Sequence, residues 1–189
     1  TRCASRLDAV LALDSSGSAG LAGVMAARDF AKAFAQRAEF GSAGSRMGAI
    51  YFGDSALTAQ VLTANRSAVV SRLDTVPWLR SKTNTGEALA LAADMLENHG
   101  RQGAQSAVVV VTDGMPLSSF IMSTEVKQLR ARGTRLVFVT VGPGLSRRAV
   151  KKWVSWPPEE NTVRVPAYAD LGEAKVTELL ANLCPVLAA

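Results

Sequence analysis

The sequence predicts an α/β domain: a doubly wound, mostly parallel six-stranded sheet with one antiparallel edge strand and helices on both faces. Three observations predict it. Short apolar runs alternate with longer amphipathic stretches along the whole chain. The most hydrophobic run, residues 107–112 (AVVVVT), has no polar alternation, so it reads as a central strand buried on both faces. Polar loops rich in side-chain oxygens follow the strand ends, where ligands sit in sheets of this kind.

Each element follows from local pattern. Residues 7–13 (LDAVLAL) form a buried strand that stops at Asp14. After the polar loop Ser15-Ser16-Gly17-Ser18, residues 21–39 read as a helix with Met25, Phe30, Phe34 and Ala38 on its apolar stripe. Residues 46–52 are the second strand. Residues 56–62 follow Gly53-Asp54-Ser55 and alternate, so they form its antiparallel hairpin partner at the sheet edge. Residues 65–73 make a short helix. A stronger one, 85–98, ends at His99-Gly100, with Thr85 as its N-cap. After the central strand comes a helix over 119–132, closed by Gly133. Strand 135–141, a short helix over 146–153, strand 162–165 and a closing helix over 170–183, capped by Asp170, complete the order. Trp153 and Trp156 read as core or stapling residues.

The 189 residues suit one domain spanning 1–189. The chain is 48% hydrophobic and 20% charged, the balance of an ordinary soluble protein. No apolar run approaches the ~18–20 residues of a membrane span. No secretory signal precedes Thr1, which makes a mature or excised segment the expectation. A net charge of +5 suggests an anionic partner. Nucleic acid fits poorly, because the cations are scattered without interleaved aromatics; a sulfated glycan or an acidic protein fits better, and a surface kept basic for solubility is the plain alternative.

Only Cys3 and Cys184 are present, one near each end. A disulfide between them would clip the first strand to the last helix, as extracellular domains do; two reduced thiols of a cytosolic protein are the other reading. Asn65-Arg66-Ser67 is an acceptor sequence for N-glycosylation, and Asn65 is equally a good helix N-cap. Arg147, Arg148, Lys151 and Lys152 share a helix face at spacings of three and four. They are either a solvated face or a glycan-binding site near the two tryptophans. The single histidine, His99, lacks a nucleophile elbow, and no phosphate-binding loop occurs, so a hydrolase or nucleotidase is not indicated.

Asp14, Ser16 and Ser18 follow the first strand as Asp-x-Ser-x-Ser. Thr83 lies in Thr-Asn-Thr-Gly just before a helix, and Asp113 follows the central strand. All three loops should reach one edge of the sheet. Two carboxylates and three hydroxyls form a hard, all-oxygen donor set suited to Mg²⁺ or Mn²⁺, and less tightly to Ca²⁺. Helix capping by the same residues is the simpler account of each taken alone.

The sequence resembles the von Willebrand factor A (integrin I-like) domain family through Asp14-Ser15-Ser16-Gly17-Ser18, Thr83 in Thr-Asn-Thr-Gly and Thr112-Asp113-Gly114. The resemblance implies that Asp14, Ser16, Ser18, Thr83 and Asp113 form a metal-ion-dependent adhesion site. It implies a non-enzymatic, extracellular or cell-surface adhesion module, part of a larger protein, whose cation is completed by an acidic residue of a protein partner. The alternative within the family is an intracellular module of a metal-chelatase or ATPase-type complex. Met115-Pro116 departs from relatives that carry a further acidic residue there. A Cys3–Cys184 clip would also restrain the sliding of the last helix known in integrin-like members.

Overall fold

The structure is a computed structural model describing residues 2–3, 6–184 and 187–188, with side chains over 6–184. Its elements are β1 (Arg2–Cys3), β2 (Leu7–Asp14), α1 (Gly20–Gln36), β3 (Arg46–Phe52), β4 (Ala56–Thr63), α2 (Arg66–Leu73) and α3 (Thr85–His99). There follow β5 (Gln105–Thr112), α4 (Ser119–Ala131), β6 (Arg135–Val141), α5 (Arg147–Trp153), β7 (Thr162–Val165), a 3₁₀ turn (Tyr168–Asp170), α6 (Glu173–Leu183) and β8 (Leu187–Ala188).

The main sheet has the order β4-β3-β2-β5-β6-β7. Five strands run parallel, and β4 pairs antiparallel with β3 at the edge, as the hairpin reading requires. Because β2 and β5 are central, their side chains are buried on both faces, which is why LDAVLAL and AVVVVT carry almost no polar residues. Alternate residues feed two cores. Leu11, Leu13, Val109 and Val111 pack under α1 and α6, whereas Val10, Ala12, Val108 and Val110 pack under α3 and α4. A second ladder, β1 with β8, joins Cys3 to the register of Leu187 and was not anticipated from sequence.

Several expectations need correction. The first helix ends at Gln36, and Met25 is 50% exposed, because alanines occupy the stripe facing the sheet (Ala27, Ala31, Ala35). The helix at 85 is capped by Asn84, not Thr85: the Asn84 side chain accepts from the Glu87 amide, and Thr85 starts the helix buried. Asp170 caps nothing in the closing helix. It closes the 3₁₀ turn by accepting from the Ala167 amide, and α6 starts after Gly172. Asn65 does cap α2, accepting from the Ala68 amide at 3.1 Å, and it is exposed. Gly133 takes φ 77° at the end of α4, a left-handed cap that favours glycine. Trp153 is core, but Trp156 is 87% exposed. Among the described residues no helix is long and apolar enough to cross a membrane.

Candidate metal centre at the carboxyl edge of the sheet

β2 and β5 are adjacent and in register, so Asp14 and Thr112 arrive together at their carboxyl ends. The Thr112 hydroxyl donates to Asp14 Oδ2 at 2.5 Å, and the Ser16 amide donates to Asp14 Oδ1 at 2.9 Å. The loop after β2 then turns Ser16 and Ser18 to the same side, with their hydroxyls 3.2 Å apart. Ser18 Oγ donates to Asp113 Oδ1 at 2.8 Å and so joins the first and third loops. Thr83 meets the third loop from the other side, since a Cβ built on Gly114 would lie 3.3 Å from Thr83 Oγ1. Thr83 also accepts at its carbonyl from the Leu117 amide at 2.8 Å. All five residues singled out in sequence thus come to one edge.

The electrostatics are those of a site with too much negative charge. Asp14 is 1% exposed, and burial pushes its carboxyl above the ordinary value; the Ser16 and Thr112 hydrogen bonds oppose that rise, and the nearby Asp113 adds to it. Neither Asp14 nor Asp113 has an ion-pair partner among the described side chains. Tyr168 comes close from the 3₁₀ turn. Its hydroxyl is buried without a hydrogen-bond partner, and burial, then Asp113 and Asp14, push it far above the tyrosine range. No group of three or more His, Cys, Asp or Glu placed to hold a metal ion occurs among the described residues. A cation here would therefore rest on two carboxylates and neutral hydroxyls, and a buried Asp14 beside a partly exposed Asp113, both without counter-charge, fits that role.

Three contributors escaped sequence reasoning. Thr112 orients Asp14, although it stood inside the quoted motif. Residues 77–81 brace the first loop: the Leu79 amide donates to Ser15 O, the Gly17 amide to Ser81 O, and Trp78 Nε1 to Ser16 O. Beside the site, Met115, Leu117, Phe120 and Ile121 leave an apolar rim, with Phe120 80% exposed. A run of apolar residues opening α4 was the available signal for the last.

The other candidates lie elsewhere. His99 is exposed at the far end of the fifteen-residue α3, about 20 Å from the edge at 1.5 Å per residue. Arg147, Arg148, Lys151 and Lys152 are exposed on α5. Cys184 is buried at the end of α6, and the side chain of Cys3 lies outside the described residues.

Known proteins resemble this chain in sequence and in fold. The chain is 28% identical over 170 residues to the human von Willebrand factor A domain-containing protein 2, covering 87% of this chain and 22% of that protein. It thus spans about a fifth of that relative's length. Among solved structures, proximal thread matrix protein 1 of the mussel byssus, described with a zinc-occupied MIDAS motif, superposes with a TM-score of 0.83 at 23% identity, over 96% of this chain and 46% of that one. A von Willebrand factor type A protein of Catenulispora acidiphila gives 0.77 at 15% identity, over 95% and 43%. The model of the von Willebrand factor type A domain matches residues 8–176, and the chain belongs to that family.

Proposed function

We propose that this single domain is a cation-dependent protein-binding module of a larger extracellular or cell-surface protein, and not an enzyme. One observation carries it: Asp14 and Asp113 converge at the sheet edge, linked through Ser16 and Ser18 and unpaired with any described cation. Asp14, Ser16, Ser18, Thr83 and Asp113 would hold the ion, for which Mg²⁺ or Mn²⁺ suits the all-oxygen set better than Ca²⁺. The zinc named for the mussel protein supports a divalent ion at this edge. Bound there, the ion supplies a Lewis-acidic position for a carboxylate of the partner. The apolar rim of Met115 and Phe120 favours a partner whose acidic residue has an apolar neighbour. A Cys3–Cys184 disulfide and a glycan on the exposed Asn65 belong to the same extracellular reading.

Calorimetric titration with Mg²⁺ and Mn²⁺, on the native protein and on Asp113→Ala, tests this. Saturable one-site binding that the variant loses is the expected result. No binding by the native protein, even with a Glu-containing apolar peptide added, would reduce the five residues to loop-forming groups.

A further inference from the structure

Helix α5 concentrates like charge on one short stretch. Arg147 and Arg148 occupy its first turn, where the helix dipole disfavours cations. Lys151 and Lys152 lie in the last turn, where the dipole favours them, but each stacks a like charge on the arginine four residues before it. The surroundings add to the excess: Arg164 of β7 and Lys175 of α6 face the same groove of about 690 Å³. Against these six cations stand two carboxylates, Glu159, 3.7 Å from Lys151, and Glu178, 2.7 Å from Lys175. Arg147, Arg148 and Lys152 have no ion-pair partner among the described residues. Burial and, secondarily, the neighbouring Arg147 lower the pKa of Arg164. A surface kept basic only for solubility would spread such charges out.

The groove continues. Lys151 and Pro158 also line a second cleft of about 580 Å³, walled by Arg130, by Arg135 with Glu160 3.9 Å from it, and by Trp156, which is 87% exposed. A large apolar ring left in water beside a cationic trough calls for a ligand that is both anionic and flat-faced. We propose that the trough between α5, β7 and α6, continued past Lys151 to Trp156, binds a sulfated polysaccharide. The arginine forks match sulfate oxygens, and the indole offers a platform for the C–H face of a sugar ring. Single-stranded nucleic acid needs an aromatic for each of several bases, and here one ring stands alone. A bilayer needs a flat or convex face, whereas these cations line a concavity between three elements. The site shares no residue with the candidate metal centre.

The test is calorimetry of the native chain with a heparin octasaccharide, in EDTA so that the metal edge is silent. Its comparators are the desulfated octasaccharide and an oligothymidylate of equal charge. Binding of the sulfated sugar alone at about 0.15 M salt is expected, at least about tenfold tighter than the oligonucleotide. Arg148→Ser with Lys152→Ser should weaken it by about tenfold or more and lower the slope of log Kd against log salt by about two. Trp156→Ala should weaken it about three- to tenfold with that slope unchanged. These side chains are exposed, so both variants should melt as the native protein does. Failure of the native chain to bind, equal binding of the oligonucleotide, or native affinity in both variants would overturn the proposal.

Discussion

Arg101 and Asp8 form an ion pair at 2.7 Å with side chains only 8% and 2% exposed, at the end of the sheet opposite the metal edge. Asp8 Oδ2 also accepts from the Arg101 amide at 2.6 Å, and the guanidinium donates to the carbonyls of Leu7, Ser42 and Gly44. One side chain thus ties β2 to the loop before β3. Arg101→Ala leaves a buried carboxylate alone and should cost about 3–5 kcal/mol. Urea denaturation measures it; a loss below about 1 kcal/mol would mean that water replaces the guanidinium.

Thr112 holds Asp14 through its hydroxyl. Thr112→Val keeps the shape and removes the donor. Cation affinity should fall about tenfold, the usual effect of losing an outer partner of a ligand, with the melting temperature little changed. An unaltered dissociation constant would show that the Ser16 amide alone orients the carboxylate.

The raised pKa of Asp14 sets a pH dependence. Its ordinary value is 3.8, and burial lifts the folded value above that. The folded, cation-free protein therefore binds the proton more tightly than the unfolded chain. This contribution to stability is full below pH 3.8 and is lost as pH rises through the folded value. A divalent cation relieves the same charge, so the rise in melting temperature on adding Mg²⁺ should grow between about pH 4 and pH 7. An equal rise across that range would contradict it.

Gly23 of α1 lies under the Tyr168 ring, and an added Cβ would sit 2.7 Å from Tyr168 Cδ2. Alanine normally improves a helix, but Gly23→Ala should here destabilise by about 1–2 kcal/mol as the ring is displaced. With Tyr168→Ala already in place, the same substitution should turn neutral or stabilising. A cycle showing no coupling would place the ring elsewhere.

The proposed Cys3–Cys184 disulfide closes nearly the whole chain and would contribute up to about 4–5 kcal/mol in the chain-entropy model. Reducing agent should lower the melting temperature; no change removes the clip.

Fold order and site were legible because both rest on side-chain pattern. The unbroken apolar runs of β2 and β5 could only be central, and the oxygen-bearing residues fell at their ends. What was missed rests on other physics. Residues 77–81 brace the first loop largely through backbone amides, which any sequence carries. Both Asn84 and Thr85 can cap a helix; Asn84 takes the place because its amide group also donates to Asp54 O and Glu87 Oε2. Ranking by hydrophobicity put Met25 inside, whereas close approach of α1 to the sheet selected alanine. Trp156 looked like a core residue by type, and its exposure is visible only in three dimensions.

The pairing of Arg2 with Ala188 and of Cys3 with Leu187 has a mechanical consequence. The two ends emerge side by side, so tension applied across them pulls in the unzipping direction. It opens a two-rung ladder one rung at a time, rather than shearing parallel strands past each other. The load meets β1 and β8 first. With Cys3 and Cys184 joined as proposed, it passes from one end to the other without entering β2, so Asp14 at the far end of that strand stays unstretched.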